Sequence, residues 1–153
     1  MAFRYSTGLF NKLLGTSDLK TTMANGVIKL YTGAQPTSPN DAVIGTLIGA
    51  VTLDAGAFTP GVATNGLEFD APVLAVIGKA AAETWKFSAV AAGTIGWGRF
   101  VGNATDSGAS STTLPRLDFS VGITTGDART SKVTYAIGET GTIDSFNITL
   151  SNA

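Results

Sequence analysis

Residues 23–32 read Met23-Ala24-Asn25-Gly26-Val27-Ile28-Lys29-Leu30-Tyr31-Thr32, and within this stretch the periodicity of the chain changes. Asn25-Gly26 supplies the left-handed backbone that stops a helix. Val27, Ile28, Leu30 and Tyr31 then follow as β-branched, apolar and aromatic residues with a period near two, which is the signature of a strand. Residues before the switch read as helix, and residues after it read as sheet.

Upstream, Ser6 is placed to cap a short helix ending before Gly15, with Leu9, Phe10, Leu13 and Leu14 on one side. Ser17 is placed to cap a second short helix over 18–24. Phe3 and Tyr5 add to a terminus unusually rich in apolar groups. Two coverings are open for them: the protein's own sheet, or a neighbouring subunit.

Downstream, a loop over 32–41 rich in Pro, Ser and Asn is followed by an alternating strand over 46–53 with Leu47, Val51 and Leu53 on one face. Turn residues crowd the next segment at Asp54-Ala55-Gly56, Thr59-Pro60-Gly61 and Thr64-Asn65-Gly66. Val73 to Ile77 is continuously apolar, as in a strand covered on both faces. Alternation returns over 83–89 and 95–101, where Gly96 and Gly98 flank Trp97 and admit a close neighbour. A polar loop over 102–115 has the length to carry contacts. Three alternating runs follow, around Leu117-Phe119-Val121, Val133-Tyr135-Ile137 and Phe146-Ile148-Leu150, with Gly138 to Gly141 as a hairpin joining the last two. About eight short strands with dense turns predict an all-β fold, an antiparallel β-sandwich or jelly-roll-like domain with a short helical N-terminal segment. The chain divides into a helical arm over 1–26 and a sandwich over 27–153, which together form one domain.

The 153 residues contain no Cys and no His, and 10 Lys+Arg balance 11 Asp+Glu. Disulfides, ordinary zinc sites, Cys nucleophiles and imidazole acid-base catalysis are therefore excluded. A near-neutral chain lacks the clustered basic charge that a nucleic acid requires, so no nucleic-acid partner is expected. No secretory signal and no membrane-spanning stretch is read, which points to synthesis in a cytoplasm and to no membrane partner.

Specific chemistry is weakly represented. Ser17-x-x-Lys20 has the spacing of a Ser/Lys nucleophile pair, although a helix cap explains it better. Glu68 and Asp70 share a strand face and could hold a cation, or lie solvated. Trp85, Phe87 and Trp97 could stack a sugar, or fill a core. Catalytic, cofactor and metal sites are all expected to be absent, and the protein is read as a non-enzyme.

The run Leu9-Phe10-Asn11-Lys12-Leu13-Leu14-Gly15, the stretch from Met23 to Pro36, and the segments Ala57-Phe58, Trp97-Gly98-Arg99-Phe100 and Ile143-Asp144-Ser145-Phe146 together resemble small virion proteins encoded in tailed-bacteriophage structural gene clusters. The resemblance implies a virion component assembled in the host bacterial cytoplasm, with no catalytic residues to carry over. Its implied role is a capsid decoration, or cement, protein that bridges major capsid subunits, binds other virion proteins and forms a homo-oligomer. A tail or head-tail joining component is the alternative, followed by a carbohydrate-binding host-recognition module. Partner contacts are expected at Phe3, Tyr5, Leu9, Phe10, Leu13 and Leu14, and at two loops through Gln35, Asn40, Asp106 and Ser110.

Overall fold

The computed structural model describes residues 3–150. The all-β class with a short helical N-terminal segment is what forms, and its strands make one curled mixed sheet that closes into a half-barrel. The helical segment comprises β1 (Arg4–Tyr5), α1 (Thr7–Gly15) and α2 (Leu19–Met23). The sheet is built from β2 (Val27–Thr32), β3 (Leu47–Leu53), β4 (Val76–Gly78), β5 (Trp85–Ser88), β6 (Gly93–Val101), β7 (Arg116–Gly122), β8 (Ala128–Arg129), β9 (Thr134–Tyr135), β10 (Thr140–Thr142) and β11 (Ser145–Thr149). The strand order is β10-β5-β3-β2-β6-β7-β8-β11-β4, with β1 added to β7 and β9 to β6. The β7–β8 ladder is parallel; the other ladders are antiparallel.

One face of the central strands is aromatic. Phe146 of β11 is the hub, its ring centroid lying 4.9 Å from Phe119, 5.2 Å from Phe3, 5.5 Å from Trp85 and 5.9 Å from Phe69. Leu9 of α1 and Met23 of α2 are buried in or against this core, and β1 pairs with β7. The N-terminal segment is thus integrated into the body. Gly98 permits the packing: a Cβ there would sit 2.7 Å from the Phe119 ring. Gly96 lies directly over the Gly33 carbonyl, at the irregularity where β6 slips one residue against β2.

Several expectations are corrected. Thr46–Leu53 was expected to bury Leu47, but β3 slips by one residue between its pairings Leu30↔Gly49 and Tyr31↔Leu47. The bulge turns Ile48 inward, fully buried, and leaves Leu47 partly exposed. Val73 to Ile77 does not form a strand covered on both faces. Leu74 and Ala75 both adopt positive φ, +50° and +63°, and the N–H groups of Val73 and Val76 each donate to the other's carbonyl at 2.9 Å. This is a two-residue hairpin turn of the primed type, which β4 leaves toward the edge of the sheet. Gly138 to Gly141 does not join adjacent strands: β9 pairs with β6, β10 with β5, and β11 with β8 and β4. Asp18, and not Ser17, caps α2, accepting from the Thr21 N–H at 2.7 Å.

Removing the hub ring leaves a cavity bounded by aromatic rings that cannot collapse. Phe146→Ala should lower unfolding free energy by about 3–5 kcal/mol, and Ile148→Val by about 1 kcal/mol. Urea denaturation followed by tryptophan fluorescence measures both.

Candidate functional site

The second face of β2, β6 and β7 carries Lys29, Tyr31, Trp97, Arg99, Arg116, Asp118 and Ser120, because side chains alternate across a strand. The two long loops fold over them, so Arg99, Arg116 and Asp118 are buried. Arg99 forms a two-pronged pair with Asp118 at 2.7 and 2.8 Å and donates to the Asp41 carbonyl at 3.0 Å. Arg116 grips Asp106 at 2.7 Å through two nitrogens and donates to the carbonyls of Pro39 at 3.1 Å and Ala109 at 2.7 Å. Lys29 Nζ donates to the Asp106 carbonyl at 2.8 Å, and the Val43 N–H donates to the Gly108 carbonyl at 2.9 Å.

The structure therefore joins the two loops singled out from sequence and fastens both to the helix start. Asn40 Nδ2 donates to Thr7 Oγ1 at 2.8 Å, its Oδ1 accepts from the Thr7 N–H at 3.0 Å, and its carbonyl accepts from Ser111 at 2.8 Å. Ser6 Oγ accepts from the N–H groups of Leu9 and Arg116 and donates to the Leu114 carbonyl. Asp106 is occupied by Arg116 within the fold, Gln35 is buried, and Ser110 stands exposed on the loop surface.

The N-terminal apolar set divides in two. Successive residues on a helix are 100° apart, so Leu9 and Leu13 form one row and Phe10 and Leu14 the next. Leu9 is fully buried and Leu13 half-buried, whereas Phe10 is 48% and Leu14 86% exposed. Phe3 packs on Phe119 and Phe146; Tyr5 sits half-buried against Phe10, ring to ring at 5.4 Å.

Beside α1 and α2 lies a groove of about 470 Å³. Tyr5, Leu13 and Leu19 line it from the N-terminal segment, and Ala75, Ile77 and Ile148 line it from the hairpin and β11. Asp18 and Lys20 are the charged residues in its lining. Asp18 is held below the usual carboxylate range by the Thr21 backbone N–H, so it remains an anion at any ordinary pH. Leu150 of the lining is 69% exposed, and further exposed apolar residues adjoin lining residues: Val73 and Leu74, 66% and 93% exposed, lie between Pro72 and Ala75, Phe10 packs on Tyr5, and Leu14 follows Leu13 in the chain. Isolated exposed apolar residues are ordinary; five around one groove form a patch.

The other candidate chemistries do not assemble. Ser17 Oγ points to the Asp18 carbonyl while Lys20 Nζ is held by the Phe69 carbonyl, so no Ser/Lys pair forms. The Glu68 carboxylate accepts from the Asn25 N–H and that of Asp70 from the Ala81 N–H. Among the described residues no group of three or more Asp and Glu gathers as a metal set. Trp85 and Trp97 are both fully buried, the latter stacked on Tyr31 at 4.7 Å, so neither offers a face to a sugar. No helix among the described residues is long and apolar enough to cross a membrane. Compared with protein families, curated proteins and solved structures, the chain matches none.

Burial alone would raise the Asp106 carboxyl, but Arg116, the Gly108 N–H and Lys29 together hold it below the ordinary 3.8. A depressed folded-state value contributes stability that is present above 3.8 and is lost as pH falls through the folded value. Burial pushes Asp118 the other way, so protonation of that group opposes the loss. Asp106→Asn should destabilise the protein at pH 7 by about 3 kcal/mol, since it strands a buried guanidinium. It should also flatten the decline of stability below pH 4 that thermal melts of the wild type are expected to record.

Proposed function

We propose that the protein is a non-enzymatic structural subunit of a tailed-bacteriophage virion, a capsid decoration protein that bridges and stabilises major capsid subunits on the head. The observation that carries this reading is the apolar patch of Phe10, Leu14, Val73, Leu74 and Leu150 around the groove. An apolar patch held on rigid elements and left in water favours association, because covering it with another protein removes it from solvent.

The loop cluster supports the same reading. Loops of this length are ordinarily mobile, and ordering them on contact opposes binding. Here two buried arginines hold them in place before any partner arrives, so a contact through Ser110 or the neighbouring residues costs little ordering. Contacts of modest strength repeated over a symmetric shell add up through multivalency, and each bound copy shifts the shell toward its assembled state. The resemblance to tailed-phage virion proteins supplies the particular shell.

Phage heads assembled without the protein, mixed with the purified chain and pelleted, should capture it in hundreds of copies per particle and gain heat resistance. Leu14→Asp lies on an exposed helix face, so its stability should stay within about 0.5 kcal/mol of wild type, while head binding weakens about tenfold or more. Copies confined to the tail, or a few per particle, would transfer the role to tail or head-tail joining. Absence from purified virions would refute the reading.

A further inference from the structure

The tip of the β4 hairpin breaks two local preferences at once. Its turn requires positive φ at both central residues, a geometry suited to Asn-Gly and unfavourable for side chains with a Cβ. Leu74 and Ala75 occupy those positions at +50° and +63°. Leu74 is also 93% exposed, so its side chain contributes almost nothing to the core. Strain and exposure combined in one bulky apolar residue are not accounted for by the fold itself and direct attention to a contact outside it.

The same surface holds a concavity of matching character. Ala75 belongs to the wall of the groove, so the projecting Leu74 and the apolar hollow are immediate neighbours. A projection beside a hollow on one surface is the arrangement a two-fold interface can use, because a rotation that faces one copy's tip to the other's hollow does the same for the second pair. Charge permits the pairing, because the groove lining contributes one anion, Asp18, and one cation, Lys20. Area permits it too. At their observed exposures these five residues present on the order of 600 Å² per copy, so that full mutual coverage in two copies would reach about 1,200 Å², where stable interfaces begin.

The geometry points to a two-fold dimer of this chain in which the Leu74 tip of each copy enters the groove of the other between α1 and β4. The inference rests on the reading of the protein as an assembly subunit and adds its first partner. Pairing covers the apolar patch, so the dimer meets the head through its two loop clusters, and Leu14→Asp weakens head binding through the avidity lost with the second copy.

The test is light scattering and sedimentation equilibrium of the purified chain over a range from ~1 to ~200 μM, in parallel with the double variant Leu74→Asn/Ala75→Gly. The variant installs the residue pair that this turn prefers, so it should fold at least as well and melt about 2–4 °C higher. Its dimer should dissociate at least about 30-fold more readily than that of wild type. A wild type that is monomeric throughout this range, or a variant that dimerises as tightly as wild type, overturns the inference. A monomeric wild type that still binds heads, with binding lost in the variant, assigns the groove to a capsid subunit and likewise overturns the dimer. A chain that dimerises as described yet does not bind heads supports the dimer and refutes the virion reading.

Discussion

Arg99 and Arg116 are held almost wholly out of water, although each carries a full positive charge. A guanidinium so placed is tolerated only when its donors are met, and here carboxylates and loop carbonyls meet them. This requirement organises half of the molecule. The central strands are apolar on one face, and on the other they offer charges that only the loops over 33–46 and 102–115 can cover. Once the loops are seated, Thr7 and Ser6 are seated with them, and the start of α1 is fixed relative to β7.

The position of α1 in turn creates the exposed patch. With Leu9 driven into the core by the cap at Ser6, the adjacent row of Phe10 and Leu14 faces outward, with only the Tyr5 ring covering one side of Phe10. The hairpin opposite leaves its own tip free, because β4 ends at the edge of the sheet. The groove is the space between two elements, each anchored elsewhere: α1 by the charged layer, and β4 by its register of Ile77 against Ile148. The exposed apolar face and the rigid loop cluster are thus consequences of one arrangement.

Much of the sheet was legible in the sequence where alternation is strong and the turn residues are conventional. Val27–Tyr31, Trp85–Ser88, Ile95–Val101 and Leu117–Val121 all fall within the strands observed. The Ser6 cap and the Asn25 stop at φ +56° were legible for the same reason, since each follows from local chemistry. The hairpin tip was hidden because Leu74-Ala75 lacks the Asn, Asp or Gly that marks such a turn, and an apolar run reads as strand. The partners of β9 and β11 were hidden because pairing is decided by distant packing. The charged layer left one signal in the sequence: Arg99, Arg116 and Asp118 lie at alternate positions on otherwise apolar strands, and charges of both signs there are as consistent with burial as with solvent. The groove needed three segments far apart in sequence, which no local pattern could bring together.

The ring of Phe146 closes the aromatic cluster, yet it arrives on a strand whose neighbours are Ile77 on one side and Ala128 on the other. Collapse driven by the earlier strands alone leaves a gap at the centre, so the decisive step of folding is a long-range closure with a large loop entropy. Folds dominated by such non-local pairing close on the scale of milliseconds to seconds. While that closure is pending the sheet edges stand open, and at high concentration two incomplete copies can pair through them.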